Sequence, residues 1–306
     1  MGGCFIIGCG DVGGRLAARE RAAGHTVRAL ARRPEAAEAL RRKHIEPVSG
    51  DLDDPDSLRD LPVASSQVFY FAPPPAEATT DPRMVHLVAA LQDGPVPERV
   101  VYLSTSGVYG DRGGAWVDEV TAPAPRTDRA RRRLHAETVM RDWGRRRGVA
   151  VVVLRVGGIY GDGRLPAARL RQARPVLRPE DCGYTNRIHV EDLVTACQAA
   201  AERGGADRIY NVSDGRPGTM TEYLFAVADA LGLPRPPVVA WDQADARLTA
   251  GELSYLRESR RLDNRRMVAE LGVELRYPDL ASGLAQAVAE SPLSPSSSGT
   301  DGCPGP

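Results

Sequence analysis

Lysine is almost absent from this chain: Lys43 is the only one, and arginine supplies the rest of the 40 basic residues. Chemistry that needs an ammonium group therefore has a single candidate. The 40 acidic residues cancel the basic ones, so no overall field draws the protein to nucleic acid or to an anionic membrane. No C-x-x-C pair occurs among Cys4, Cys9, Cys182, Cys197 and Cys303, and an odd number of cysteines in a long chain suits a reducing compartment. His25, His44, His86, His135 and His189 lack metal-ligand spacing, so no metal is expected. A G-x-S-x-G nucleophile elbow is missing, which argues against a serine hydrolase. No apolar run approaches the roughly 18 residues needed to span a bilayer. The opening "CFII" follows no basic leader and is too short for a signal sequence, so a cytoplasmic protein is expected.

What is present is an alternation of short apolar runs with longer amphipathic stretches, the pattern of a mainly parallel sheet covered on both faces. Strands are expected at 4–8 (CFIIG), 26–31 (TVRALA), 45–50 (IEPVSG), 67–72 (QVFYFA), 99–105 (RVVYLST), 149–156 (VAVVVLRV) and 208–213 (RIYNVS). The fold class is thus α/β, a Rossmann-type doubly wound parallel sheet with a smaller C-terminal substrate lobe. Expected boundaries are a dinucleotide-binding domain over 1–163 with returns at about 186–215, a substrate lobe over 164–290, and a disordered tail over 291–306. The stretch 187–202 reads as a helix with Val190, Leu193, Val194, Cys197 and Ala201 along one side. The tail, "SPLSPSSSGTDGCPGP", carries too little apolar area to offset its ordering entropy.

The first strand runs into Gly8-x-Gly10-x-x-Gly13 and then a helical pattern. Glycines so spaced allow a tight turn and a close backbone approach to pyrophosphate, with free N–H groups at a helix N-terminus facing the negative charge. Asp11 and Val12 lie within the same loop. The second strand ends on Arg32 and Arg33, where an NAD site usually carries an acid for the ribose 2′-OH. Guanidinium groups suit a 2′-phosphate, so NADP is expected over NAD; a solvated pair at a helix start is the alternative. Asp51 and Leu52, after the third strand, could border the adenine or simply open a helix turn. Ala72 and Pro73 in "FAPPP" end the fourth strand in a rigid turn able to flank the cofactor.

Together with the glycine loop, the segments "VVYLSTSGVYGD" (100–111), "LRVGGIYGDG" (154–163), "NRIHVEDLV" (186–194) and "RIYNVSDGRP" (208–217) occur in order. Over about residues 3–290 the chain resembles the extended short-chain dehydrogenase/reductases, the group that includes NAD-dependent epimerases and dehydratases acting on nucleotide sugars. The resemblance implies that Thr105, flanked by Ser104 and Ser106, supplies a hydroxyl to the substrate's reacting oxygen, while Tyr109 is structural. It implies substrate contacts at Asn186, Arg187 and His189, although His189 reads more readily as a helix-end residue bonded to backbone than as a catalytic one. Arg261 or Arg265 could meet a phosphate or lie on a solvated face.

The same resemblance implies a Y-x-x-x-K pair followed four residues later by an acid, and none occurs. Anchored on Glu137, Arg129 stands at the tyrosine position and Arg133 at the lysine position. Lys43, on the first crossover, is too far away to substitute. Five arginines crowd positions 126–133. At about 100° per residue, Arg129, Arg132 and Arg133 project within about 60° of the apolar stripe Ala136, Val139, Met140 and Trp143, while Arg131 points away. A guanidinium cannot give up and recover a proton near neutrality, but it can hold an anion. Arg129 or Arg133 is expected either to bind a carboxylate or phosphate of substrate or cofactor, or to pair with an acid such as Asp118, Glu119 or Glu137. Two functions follow: an NAD(P)-dependent oxidoreductase or epimerase/dehydratase with a non-standard site, acting on a sugar-like or carbonyl small molecule, or a catalytically silent dinucleotide-binding sensor or scaffold. A homodimer is compatible with either.

Overall fold

A computed structural model describes residues 3–289; the tail expected over 291–306 lies outside the described residues. All seven expected strands form one sheet. They are β1 (Gly3–Ile7), β2 (Thr26–Ala31), β3 (Glu46–Ser49), β4 (Ser66–Tyr70), β5 (Arg99–Thr105), β6 (Ala150–Val156) and β7 (Arg208–Val212). Every neighbouring pair is parallel, in the order β7-β6-β5-β4-β1-β2-β3. This is a Rossmann-type doubly wound sheet, whose strand order reverses between β1 and β4.

Side chains alternate across the sheet as the strand period requires. Cys4 and Ile6 pack on one face with Leu16, Val194 and Met267, while Phe5 and Ile7 pack on the other with Leu87, Met140 and Trp143. The first face is covered by α1 (Asp11–Ala22) and α2 (Pro34–Arg42), and the second by α3 (Pro82–Ala90) and α4 (Asp128–Arg147). α5 (Val190–Arg203) returns to the first face, and its expected stripe is buried throughout. The helix starts three residues later than expected. Arg187–His189 instead forms a short strand beside Gly158–Tyr160, and His189 caps the helix. Lys43 also needs a correction: it follows α2, so it lies on the β2–β3 connection and not on the first crossover.

The chain beyond Tyr160 adds α6 (Met220–Ala230), α7 (Ala250–Leu256), α8 (Arg265–Leu271) and α9 (Leu280–Ala289). Leu170, Leu224, Val227 and Leu284 form an apolar cluster of their own with Tyr160. Among the described residues, no helix is long and apolar enough to cross a membrane. Cys4, Cys9, Cys182 and Cys197 are free thiols.

Helix α4 is mostly polar, and its docking is directional. Glu137 on its inner face receives Arg155 from β6 through Nη2 at 2.7 Å, with Nε at 3.1 and 3.2 Å, and also the Ser104 hydroxyl from β5. Both charged side chains are almost completely buried. A second buried acid, Asp214 just past β7, has its carboxyl pushed up to about 6 by burial, against the Arg216 N–H that bonds it and the charge of Arg187.

Removing one partner of a buried ion pair strands the other, so Glu137→Gln should lower the unfolding free energy by about 3–5 kcal/mol, whereas Glu137→Met with Arg155→Met should recover most of it. Urea denaturation checks both. For Asp214 the raised value means that the folded state holds the proton more tightly than the unfolded chain, so stability is lost as pH rises from about 4 to about 6. Asp214→Asn, which keeps the oxygen facing the Arg216 N–H, should therefore gain roughly 1–3 kcal/mol at pH 7.5 and nothing at pH 4.

Candidate active site

The glycine loop lies at the C-terminal end of β1, beside the point where strand order reverses, which is where open α/β sheets bind ligands. Gly8 has φ +96°, and the Gly10 N–H donates to its carbonyl at 2.9 Å. A β-carbon at Gly8 would stand 2.4 Å from the Ala72 nitrogen, so this turn is pressed against the end of β4. At Gly13 a β-carbon would come within 2.9 Å of the Gly8 carbonyl oxygen, which holds α1 close to the strand. Gly10 differs: it caps α1, and nothing lies within 4 Å of where its β-carbon would be. The loop therefore presents open space at a helix N-terminus, the shape a pyrophosphate requires.

Around this turn the remaining residues expected to touch a cofactor divide into framework and rim. Val12, Leu52 and Ala72 are buried in the two cores. Ala72 also ends the strand: its N–H and that of Phe71 both donate to the Ile7 carbonyl, at 3.0 and 2.8 Å, before the prolines remove further donors. Asp11 bonds Arg15 at 3.0 Å and Arg164 at 2.7 Å; burial pushes its carboxyl up, but the two arginines hold it below the usual range. Cys9 packs partly against the core, and burial raises its thiol to about 11, as a filler and not a nucleophile. Pro73, Arg32 and Arg33 are exposed. Arg32 stands 3.8 Å from both Asp51 and Asp53, while Arg33 is the N-cap residue of α2. Asp51 belongs to the turn itself, accepting the Asp53 N–H at 3.0 Å.

At the end of β5, Thr105 is partly buried and caps a short 3-10 turn by accepting the Gly107 N–H at 3.1 Å. No described residue takes the proton of its hydroxyl, which is left to donate. Its neighbours are committed elsewhere: Ser104 to Glu137, and Tyr109 to Asn211 Oδ1 at 2.8 Å with Arg155 over its ring. Tyr109 is structural, as expected.

Helix α4 carries the arginine cluster in the register expected for it. Arg131 is exposed and bonds Asp128. Arg132 is buried and donates to the Ala78 carbonyl. Arg133 donates to the Leu103 carbonyl at 3.0 Å and lies 3.5 Å from the Ala72 carbonyl and from Tyr102 Oη. Arg129 donates to Ser254 Oγ at 3.3 Å, and its guanidinium carbon lies 3.7 Å from the Tyr255 ring centre. The acids considered as partners are engaged elsewhere. Glu137 holds Arg155, Glu119 accepts the Asn211 N–H at 2.8 Å and faces Arg266 at 3.5 Å, and Asp118 accepts the Thr121 hydroxyl at 2.7 Å.

The segment expected to contact substrate is used mostly for framework. Asn186 donates to the Arg260 carbonyl and accepts the Leu262 N–H. His189 is fully buried between Tyr160 and Tyr277, its Nδ1 accepting the Glu191 N–H at 3.3 Å, and burial lowers its pKa. That is the helix-end role. Only Arg187 faces space, with Asp214, Arg216 and Tyr223 around a cavity of about 200 Å³. Arg261 is held between Trp116 and Tyr184, and Arg265 is exposed against Asp263. Ser254 and Tyr255 were not foreseen, and no local pattern marks them. Arg155 could have been: a charge inside "AVVVLRV" demands a buried partner.

Comparison with known proteins gives the same architecture. Residues 4–213 match the model of the NAD dependent epimerase/dehydratase family. A 4-hydroxy-2-methyl-3-oxo-4-farnesyl-3,4-dihydroquinoline-1-oxide ketoreductase of Stigmatella aurantiaca is 27% identical over 245 residues, covering 74% of this chain and 72% of the relative. An uncharacterised protein of Sinorhizobium fredii is 32% identical over 136 residues, 42% of this chain and 34% of the relative. A solved structure of a conserved protein of unknown function from Silicibacter pomeroyi superposes with a TM-score of 0.79 at 31% identity, over 95% of this chain and 99% of that one. From its glycine turn to the end of its seventh sheet strand, this chain belongs to the NAD-dependent epimerase/dehydratase family, of the extended short-chain dehydrogenase/reductase type.

Proposed function

We propose that the protein binds NADP at the glycine turn and acts on the carbonyl or alcohol carbon of a sugar-like or other small molecule. The observation that carries this is the open space at Gly10, framed by the tightly packed Gly8 and Gly13 at the sheet's switch point. Gly8, Gly10 and Gly13 would hold the pyrophosphate, with Asp51, Leu52, Ala72 and Pro73 along the flanks. Arg32 and Arg33 are exposed at the end of β2, which supports NADP over NAD, since both guanidinium groups can turn toward a 2′-phosphate. When bound, the nicotinamide supplies or accepts a hydride.

Thr105 would donate its hydroxyl to the reacting oxygen, which is what the unused proton at that position supports. The name of the Stigmatella relative, a ketoreductase, favours a reductase within the family. The same proposal has the protein acting in the cytoplasm on a small molecule, as a monomer or homodimer, and not on nucleic acid or membrane. The alternative, a silent sensor, rests on the resemblance alone: it implies a proton-relaying tyrosine and lysine where Arg129 and Arg133 stand, and a guanidinium cannot take that part.

Fluorescence titration with NADPH should show saturable binding. Gly10→Ala should weaken it at least tenfold while leaving the melting temperature nearly unchanged, because its β-carbon meets only the ligand's space. Replacing Arg32 and Arg33 by alanine should raise the Kd for NADPH about 10–100-fold, the worth of one or two charge-assisted hydrogen bonds, and leave that for NADH unchanged. Against a panel of sugars, aldehydes and ketones, Thr105→Val should lower kcat about 100-fold without changing NADPH affinity. NADPH binding with no turnover, and no epimerised product, would instead establish the sensor.

A further inference from the structure

On the outer side of α4, arginines are neutralised: Arg131 by Asp128, Arg141 by Asp207, and Arg145 by Asp142 and Asp207. On the inner side, among the described residues, neither Arg129 nor Arg133 has a carboxylate within 4 Å. Their contacts are all uncharged: the Ser254 hydroxyl, the Tyr255 ring, the Tyr102 hydroxyl, and the carbonyls of Leu103 and Ala72. Two positive charges one turn apart, both partly buried, repel each other with less screening than at an open surface. Arg129 also sits in the first turn of the helix, at its positive end, where cations are disfavoured.

The acids that could relieve this do not. Glu137, the next residue on the same face, is bound to Arg155. Asp81 is the other acid facing Arg133, and it lies beyond ion-pair distance with its carboxyl pushed up by burial, though the Met84 N–H and Arg133 oppose that. An arrangement that is unfavourable in the protein alone becomes favourable when an anion arrives.

Where that anion would sit follows from the carbonyls. Leu103 is two residues before Thr105, and Ala72 donates its N–H to Ile7 beside the glycine turn. Arg133 therefore reaches the ends of β4 and β5, next to the segments that carry Pro73 and Thr105. Arg129 lies one turn away, under the Tyr255 side chain contributed by α7.

We propose that Arg129 and Arg133 form a receptor for a carboxylate or phosphate carried by the substrate, which makes the substrate an anionic carbonyl or alcohol compound. This rests on the reading of the site as that of an NADP-dependent enzyme. The ring of Tyr255 and the hydroxyl of Ser254 hold the Arg129 guanidinium in place while leaving its charge uncompensated, and the planar group offers a bidentate face to either anion.

Calorimetric titration of the NADP-saturated protein with oxalate, and separately with inorganic phosphate, tests this. Saturable binding of at least one is expected. It should weaken at least tenfold in Arg129→Leu and in Arg133→Gln, the latter retaining a donor for the Leu103 carbonyl, and be unchanged in Arg131→Leu. Because no carboxylate is left unpaired, Arg129→Leu should melt no lower than the parent protein. Undiminished binding in both variants, no binding of either anion, or a clear loss of stability in Arg129→Leu would overturn the proposal. Anion binding by the cofactor-free protein that is lost once NADP is added would assign the receptor to the cofactor's phosphate and overturn it as a substrate site. Failure of NADPH to bind while the anion still binds through Arg129 would instead remove the cofactor reading and leave the receptor standing.

Discussion

The contact between Glu137 and Arg155 sets the geometry of the whole substrate side. Apolar packing alone would hold α4 loosely in rotation, since the helix buries mainly Ala130, Ala136, Met140 and Trp143. An ion pair with three close N–O distances, joined by the Ser104 hydroxyl, is directional and buried on both sides. Residues four apart share a helix face, so fixing Glu137 also fixes Arg133 and Arg129 along the same line. One charged pair between helix and sheet thus decides what faces the end of β5.

The two halves of the site are built by different physics. Around the glycine turn the contacts are main chain to main chain, and the shape is one of open space left between tightly packed neighbours. Along α4 the contacts are made by long charged side chains whose own partners are carbonyls and an aromatic ring.

Much of this was legible in the sequence for definite reasons. Strands covered on both faces are continuous in apolar residues, so all seven could be read, and the ends of β1 and β4 follow from Gly8 and from the prolines after Ala72. The arginine register was legible because helical spacing is regular. The two-residue pairing of Trp116–Val117 with Arg261–Leu262 was not, because so short a contact between distant segments has no periodicity. The same holds for Tyr255 against Arg129. Asn186 looked available because polar residues near a glycine-rich strand end usually are, whereas the helix-end role of His189 could be read from its place before Val190. Both turn inward to satisfy backbone groups that would otherwise be buried without partners.

Gly8 pressed against the Ala72 nitrogen has a consequence for how such a protein can change over generations. The turn cannot widen without parting β1 from β4, and no side chain takes part in holding it shut. A substitution that leaves the pairing of β1 with β4 in place therefore leaves that half of the cleft in place as well. Arginines, in contrast, can be exchanged one codon at a time. A lineage can therefore keep its grip on one ligand while trying out new chemistry on the other, and the helix after Thr127 is where such trials would be recorded.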